Sequence, residues 1–394
     1  MLKLPGLAVE RKRLLLRFLR SASGFWCGRT ARRAWVLLTV MISAVLLQLF
    51  VQYQLNLWSR DFFNAIEQKN KVAVLAEALN FAPLAAASLT LALLSVWSRM
   101  TTEREWRRWL SDHLYDYWLC NECHLELKFM HGEHHTPEYR IAEDGRVATD
   151  LPIDLGLGLL SSLLTIVAFV GVLWSVGGSL GVEVFGLKRT IPGYLVFAVA
   201  GYSLLLTSAT LIINRGLTHV VEANKGAEAE LRASGAHLRA IGESAAAVKG
   251  AHDGRRAMAA ALDQVIERWR ALCWQMIRMT LVSHTNLMIV PSIGLLLCAP
   301  KYLAGAMTLG AVVQAGAAFV AVQGAFNWAA DNYGRLAEWA ASASRVASLL
   351  CSLDQINGGP SSKETYSADA EQGYGQISKA GRSDKVPHAT ILPT

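Results

Sequence analysis

Six apolar runs divide the chain, and charged stretches of unequal length separate them. A helix needs about 20 mostly apolar residues to cross a hydrocarbon core roughly 30 Å thick. Each run meets that length, and the predicted spans are 35–57, 79–97, 155–176, 192–213, 279–299 and 307–328. The pattern predicts an all-α membrane protein with six transmembrane helices.

The polar intervals after the second and fourth spans are long, whereas the other intervals between spans are short. Residues 99–118 carry charged and tryptophan side chains at helical spacing, so we expect the second span to continue as a helix beyond the membrane. Residues 214–278 have helical composition as well, and we expect a helix to continue over 329–353. The six spans are therefore predicted to have long extensions on one side, which we assign to the cytoplasm.

Composition and charge agree with a multi-pass membrane protein. Hydrophobic residues make up 53% and charged residues 18% of the 394 positions, and the mean hydropathy is +0.28. That much apolar surface excludes an ordinary soluble domain. Nearly all of the lysine and arginine in this chain of net charge +7 lies in 1–34, 99–154, 214–278 and the C-terminal end. We interpret it as a positive-inside signal with both termini cytoplasmic at a bacterial inner membrane, and we expect no nucleic-acid partner.

The two ends of the chain differ from the middle. Residues 1–34 are basic and amphipathic, which predicts a cytoplasmic elbow helix in contact with the lipids of an anionic leaflet. No short apolar core with a small-residue cleavage site precedes the first span, so no removable signal peptide is expected. We assign 35–353 to the six-span domain and 354–394 to a disordered C-terminal tail.

Polar residues inside the spans are the first candidates for a substrate path. An unpaired polar group in hydrocarbon is costly, so such residues usually face protein or water. The candidates are Gln48, Gln52, Asn56, His284, Asn286, Gln323 and Asn327. The first three recur every fourth residue and form one stripe. The alternative is that these side chains join helices by hydrogen bonds within the bundle.

A proton-driven mechanism requires titratable groups near the path. The candidates are Glu77, His284 and Asp331. Arg335 follows Asp331 after one helical turn, so we predict that these two form a structural ion pair.

The segment from Cys120 to His124 matches the C-x-x-C-H pattern of haem attachment, which we interpret as accidental in a cytoplasmic segment. Thiolates and imidazoles suit zinc, and the chemically possible ligands are Cys120, Cys123, His131, His134 and His135. A solvated helix face is the preferred interpretation. We therefore expect no metal and no cofactor bound by this chain.

Several short stretches carry a family resemblance. Residues 57–66 read Leu-Trp-Ser-Arg-Asp-Phe-Phe-Asn-Ala-Ile, 105–110 read Glu-Trp-Arg-Arg-Trp-Leu, and 140–144 read Arg-Ile-Ala-Glu-Asp. With 191–194, 299–302, 309–310 and 336–339, they resemble the SbmA/BacA group of bacterial transporters and its ATPase-fused YddA-like relatives. The peroxisomal acyl-CoA half-transporters are similar at a greater distance.

The resemblance implies the transmembrane domain of an exporter-type ABC transporter that works as a homodimer. No Gly-Lys dipeptide occurs in the chain, so a phosphate-cradling G-x-x-x-x-G-K-[ST] loop is absent from this sequence. The chain is then not an enzyme, and ATP would be bound by a separate ABC ATPase subunit. The predicted coupling residues are Pro137, Glu138, Arg140, Glu143, Asp144, Glu243 and Gly250. The alternative for this cluster is salt bridges that lock neighbouring helical extensions.

Three functional hypotheses follow. The first is a permease that moves a peptide-like or bulky amphipathic solute by alternating access, with ATP hydrolysed by a separate subunit. The second is a proton-driven peptide transporter with no ATPase. The third is a decayed fragment of a fused ABC transporter, acting at most as a membrane scaffold.

Overall fold

The computed structural model describes residues 5–28, 30–120, 137–184, 187–242 and 247–356. The first four helices are α1 (Pro5–Cys27), α2 (Ala31–Glu67), α3 (Lys71–Leu119) and α4 (Pro137–Gly177). A hairpin follows, made of β1 (Ser179–Val184) and β2 (Leu187–Pro192). The remaining helices are α5 (Tyr194–Gly242), α6 (Ala247–Leu303), α7 (Leu309–Asp331) and α8 (Tyr333–Ile356).

Within the described ranges, six helical stretches are long and apolar enough to cross a membrane: α2, α3, α4, α5, α6 and the α7–α8 pair. This confirms the predicted all-α membrane class with six spans. The extension beyond the second span is also confirmed, because α3 is a single helix of 49 residues. Pro83 lies inside that helix, where neighbouring groups can satisfy the carbonyl that a proline leaves unbonded.

Two features of the fold were not predicted from the sequence. The short interval between the third and fourth predicted spans is an antiparallel hairpin with Ser179 opposite Pro192 and Val184 opposite Leu187. Positive φ angles of 54° and 62° at Gly178 and Gly193 turn the chain at its two ends, and glycine adopts this backbone conformation at little cost. At the other end of the protein, α8 continues to Ile356, past residue 354 where the tail was expected to begin.

The chain forms two compact units. The first, called here the extension unit, comprises the described parts of Met1–Trp35, Thr102–Pro152 and Ala337–Thr394. The second, called the span unit, comprises Val36–Thr101 and the described parts of Ile153–Leu336.

In the extension unit, the elbow helix α1 packs one apolar stripe into protein. Phe18, Ala22 and Phe25 recur at helical spacing and are buried. The Phe25 ring stacks on Trp106 at a centroid distance of 6.1 Å. A Cβ added to Gly24 would lie 2.8 Å from a ring carbon of Trp109, so this glycine allows the close approach. Both tryptophans of the 105–110 stretch therefore hold α1; contact of α1 with lipid stays a prediction.

Residues from α4, α5, α6 and α7 form the core of the span unit. Buried Phe169 and Leu173 on α4 belong to one cluster with Leu195 and Val199 on α5 and Phe319 on α7. The polar groups discussed below lie outside this cluster.

The start of α7 is capped by side chains of α2. The Glu67 carboxylate accepts a hydrogen bond from the Leu309 amide at 2.9 Å, and the Asn64 side-chain oxygen accepts one from the Gly310 amide at 3.0 Å. The Thr308 hydroxyl accepts a third, from the Ala311 amide. Because the first amides of a helix have no partner within it, these three contacts fix where α7 begins. Two of the stretches that carry the family resemblance, 57–66 and 309–310, thus meet at this helix cap.

His113 in the extension unit gives a pH-dependent prediction. Its ring lies 5.3 Å from Trp109 and 5.9 Å from Tyr117, and burial lowers its pKa below the ordinary 6.5, against the opposing charge of Asp116. A lowered folded pKa means that the unfolded chain binds the proton more readily. The stability is therefore complete above pH 6.5 and falls as the pH drops through the folded pKa.

We expect His113→Phe, which keeps a ring between the two aromatic neighbours, to lose less thermal stability than the wild type between about pH 7.5 and 5. Melting of both proteins in detergent across this range checks the prediction. Parallel pH curves for the two proteins would contradict it.

Candidate functional site

The span unit contains a cavity of about 510 Å³. Helices α2, α3, α4, α7 and α8 line it. Its uncharged polar lining consists of Gln48, Gln52, Ser95, Ser161, Thr165 and Asn332. Its apolar lining includes Ala44, Leu49, Leu91, Leu157 and the Trp328 indole. Both kinds of surface are therefore available to an occupant.

Three charged side chains meet at one end of this cavity. Arg99 Nη1 donates to one carboxylate oxygen of Asp154, and Arg335 Nη2 donates to the other. Arg335 also donates to the Asn332 side-chain oxygen at 3.1 Å. We call Arg99, Asp154 and Arg335 the Arg–Asp–Arg cluster. All three side chains are partly exposed, so water screens the attraction between them.

The position of the cluster follows from where the helices change character. Arg99 on α3 follows the last apolar residue of the second predicted span, and Asp154 precedes the first of the third. Arg335 comes just after Asn332, where α7 ends and α8 begins. The Asn332 side chain donates to the Trp328 carbonyl at 2.9 Å, which holds this junction. Three helix segments therefore bring charge to the level at which the apolar spans stop.

The polar stripe of α2 divides between two environments. Gln48 and Gln52 line the cavity. Gln48 donates to the Ser88 hydroxyl at 3.0 Å, while its buried side-chain oxygen has no hydrogen-bond partner among the described residues. Asn56, one turn further, is buried and donates to the Gln314 carbonyl on α7 at 3.1 Å. The positions of Gln48 and Gln52 thus agree with a substrate path, whereas Asn56 agrees with the alternative, a hydrogen bond between helices.

The other predicted path residues lie away from this cavity. Gln323 is buried within the span unit, and His284 is exposed on α6. Asn286 accepts a hydrogen bond from the Tyr202 hydroxyl at 3.1 Å, which joins α5 to α6. Asn327 donates to Asp331 at 2.9 Å. A path that includes these four residues stays a prediction.

The predicted ion pair between Asp331 and Arg335 is wrong. Asp331 accepts from the Asn327 amide group, whereas Arg335 pairs with Asp154 from another helix. Spacing along one helix favoured the first pairing, but the α7–α8 junction at Asn332 interrupts the regular turn between the two residues. Asp331 instead lines a smaller cavity of about 110 Å³ with Thr210, Asn214 and Ser283.

The two other proton-coupling candidates have no contact with that smaller cavity. Glu77, near the start of α3, accepts a weak hydrogen bond from Asn80 at 3.4 Å. Its backbone carbonyl accepts from the Trp58 indole at 2.7 Å. His284, described above, is exposed. Of these three candidates, Asp331 is the one that lines this smaller cavity.

Five of the predicted coupling residues lie in the extension unit, where some are buried and hydrogen-bonded and others are exposed. Asp144 is buried and accepts hydrogen bonds from Arg345 Nε at 2.9 and 3.0 Å and from its Nη2 at 2.5 Å. Arg140, also buried, donates to the Arg345 carbonyl at 3.4 Å. The chain over Arg140–Asp144 is a π-helical turn, whose wider spacing places both residues toward α8. They match the alternative of a lock between extensions.

The remaining coupling residues are accessible or outside the described residues. Glu138 is exposed, and Pro137 beside it is partly exposed. Glu143 pairs with Arg146 at 2.6 Å, and this hydrogen bond lowers the pKa of its carboxyl group. Glu243 lies outside the described residues, and Gly250 is in the first turn of α6.

Cys120, directly after α3, is described, whereas Cys123, His131, His134 and His135 are outside the described residues. In the part of the chain that the structure describes, no group of three or more metal-ligating side chains occurs.

Sequence reasoning missed the Arg–Asp–Arg cluster as a site. Arg99 and Asp154 were visible only as the two ends of the long polar interval, 55 residues apart. The usable signal was that Arg99 follows the second span and Asp154 precedes the third. Because consecutive spans cross the membrane in opposite directions, these two residues lie on the same side of the membrane.

Comparison with known proteins agrees with this architecture. The family model for the ABC transporter transmembrane region 2 matches residues 25–303. The chain is 25% identical to the inner membrane ABC transporter ATP-binding protein YddA of Escherichia coli, over 86% of this chain and 61% of the relative. It is 26% identical to an ABC transporter ATP-binding protein of Synechocystis, over 66% of this chain and 36% of the relative.

A third relative, an ABC transporter ATP-binding protein of Haemophilus influenzae, is 21% identical over 59% of this chain and 40% of its own length. The chain thus spans less than two thirds of the length of these relatives. The family model covers well over half of the chain and most of the six membrane helices. The chain therefore belongs to the ABC transporter transmembrane region 2 family.

Proposed function

We propose that the chain is a bacterial inner-membrane permease that moves a peptide-like or other bulky amphipathic solute by alternating access. It works as a homodimer with both termini cytoplasmic, and a separate subunit hydrolyses ATP. The observation that carries this proposal is the cavity of about 510 Å³ among the membrane helices.

The composition of the cavity favours a solute path over simple packing. A pocket of several hundred cubic ångströms suits a small organic ligand. Polar groups within a membrane are costly unless they face protein or a water-filled space, and Gln48, Gln52 and Thr165 line this cavity.

The exposed part of the 137–144 segment supports docking of an ATPase. The relatives are named ATP-binding proteins, which supports a partner of that kind. Glu138 is exposed and Tyr139 is 60% exposed, so both are available to a partner surface. Arg140 and Asp144 would then support this segment from inside the protein.

Transport by vesicles tests the proposal. Inside-out membrane vesicles from the native host, with and without the chain, are supplied with a labelled proline-rich peptide and a dansylated amphiphile. We expect chain-dependent uptake that requires ATP and is blocked by vanadate, and none in proteoliposomes that hold the chain alone. Equal uptake by vesicles with and without the chain would contradict the proposal.

The second candidate function, proton-driven transport without an ATPase, is favoured by the placement of Asp331. Its carboxylate borders a cavity between helices and forms no ion pair with the described side chains. A carboxylate in that position can take up and release a proton.

If protons drive transport, uptake by proteoliposomes of the chain alone will follow an imposed pH gradient, and Asp331→Asn will abolish it. The matched control is Asp61→Asn, which removes an exposed carboxylate paired with its neighbour Arg60. Gradient-driven uptake that survives in Asp331→Asn would exclude Asp331 from proton coupling.

A further inference from the structure

The charged end of the 510 Å³ cavity has an excess of positive charge. Two of the lining residues, Arg99 and Arg335, carry guanidinium groups, and one, Asp154, carries a carboxylate. Each guanidinium offers five N–H donors, while a carboxylate accepts about four hydrogen bonds. Asp154 therefore cannot satisfy both arginines, and the lining presents donors and a net positive charge to the space beside it.

The rest of the cavity lining extends along α3 and α4, away from the charged end. On α3, Leu91 lies eight residues before Arg99, and on α4, Thr165 lies eleven residues after Asp154. At 1.5 Å per residue, these positions are roughly 12–16 Å from the charged end. None of the described lining residues over that length is charged, and Leu49, Leu91 and Leu157 alternate there with amide and hydroxyl groups.

Trp328 adds a flat apolar wall close to the cluster. A Cβ added to Gly158 would lie 2.6 Å from the indole nitrogen of Trp328, so this glycine allows the indole to pack against α4. Trp328 lies near the end of α7 and Arg335 near the start of α8, so the junction at Asn332 is flanked by an apolar surface and a cation.

We propose that this cavity binds an amphipathic organic anion, with its carboxylate or phosphate group at the Arg–Asp–Arg cluster and its apolar part along α3 and α4. This rests on the proposed transport function and narrows its substrate class. Arginine suits such a group because its planar donors match two oxygens at once. The same chemistry is offered by an anionic lipid and by a transported solute.

Probes that differ only in the head group test the proposal. The full chain in phosphatidylcholine nanodiscs is titrated with 11-(dansylamino)undecanoate, with its primary amide and with the corresponding amine, and the dansyl fluorescence is followed. We expect the carboxylate to bind at least about tenfold more tightly than the amide, and the amine to bind most weakly. Added salt should reduce the preference.

Four variants separate an anion site from a structural ion cluster. Arg335→Gln should remove most of the carboxylate preference, and Arg335→Lys should keep part of it. Asp154→Asn should tighten carboxylate binding, because it removes the one negative charge of the lining; a purely structural cluster predicts the opposite. Arg104→Gln, an exposed arginine of α3 outside the cavity, is the control. Size-exclusion profiles confirm that each variant is folded.

Nanodiscs that contain phosphatidylglycerol distinguish the two sources of the anion. Displacement of the carboxylate probe by this lipid, lost in Arg335→Gln, assigns the site to a lipid head group. Retained probe binding assigns it to a solute. Both results support the anion site.

Equal affinity of the wild type for the carboxylate and the amide would overturn the proposal. A preference that survives both Arg335→Gln and Arg99→Gln would overturn it as well. Binding in nanodiscs needs neither ATP nor a gradient. Failure of vesicle uptake with an intact head-group preference therefore rejects the transport function alone, and the reverse result rejects only the anion site.

Discussion

Gly310→Ala is expected to prevent stable docking of α7 onto α2. A Cβ at this position would lie 2.0 Å from the Arg60 carbonyl oxygen and 2.5 Å from the Asn64 side-chain oxygen. The first of these atoms is backbone, so the helix itself has to move. We expect the movement to break the hydrogen bonds that Asn64 and Glu67 accept from the amides of α7. Overpacking costs about 1–3 kcal/mol and a lost cap about 0.5–2 kcal/mol, so the total loss is about 1.5–5 kcal/mol.

Melting of the purified protein in detergent, together with its yield from membranes, measures this effect. Gly324→Ala on the same helix is the matched control, because its added Cβ would meet no atom within 4 Å. Alanine is the better helix former, so the control should be unchanged or slightly more stable. Similar melting of the two variants would show that the cap has no special role.

Asp144→Ala is the second change with a large expected effect. It removes a carboxylate that is 3% exposed and, with it, the ion pair to Arg345. Removing one partner of a buried pair costs about 3–5 kcal/mol, and we expect about 2–4 kcal/mol here because the Arg345 side chain is 45% exposed. Melting of Asp144→Ala, Arg345→Ala and the double variant forms a cycle. We expect the double variant to lose much less than the sum of the single losses.

Glu143→Gln is the control on the same turn, since it loses only a surface pair with Arg146 and should melt as the wild type does. Two charge-reversal variants of the same segment test ATPase docking. If Glu138→Lys and Glu143→Lys reduce ATP-driven uptake without lowering the melting temperature, the exposed side of this segment is the docking surface. Additive losses in the cycle would contradict the lock between Asp144 and Arg345.

The six spans could be predicted because a membrane imposes a simple rule on composition and length. Backbone groups in hydrocarbon must bond within a helix, so long apolar runs such as 155–176 have one available structure. The structure also explains why the stretches that carry the family resemblance have these residues. Trp106 and Trp109 hold α1, and Asn64 accepts from Gly310, so these stretches maintain the fold.

The candidate site could not be predicted because it depends on contacts between distant segments. Asp154 has a partner 55 residues before it and another 181 residues after it. Spacing along one helix favoured Asp331 for Arg335, and nothing in the local sequence signals that Asp154 lies closer. Asn56 failed as a cavity residue for a related reason: one turn beyond Gln52, it meets a carbonyl of α7.

The cap on α7 also has a consequence for how the protein is made. Glu67 and Asn64 leave the ribosome about 240 residues before the amides of Leu309 and Gly310 that they accept. At about 5–20 residues per second, synthesis of the intervening chain takes roughly 12–50 s. During that interval the end of the first membrane helix holds two acceptors without their final donors. When the sixth membrane helix is inserted, its Leu309 and Gly310 amides supply these donors. The contact between the first and sixth membrane helices therefore forms late in synthesis.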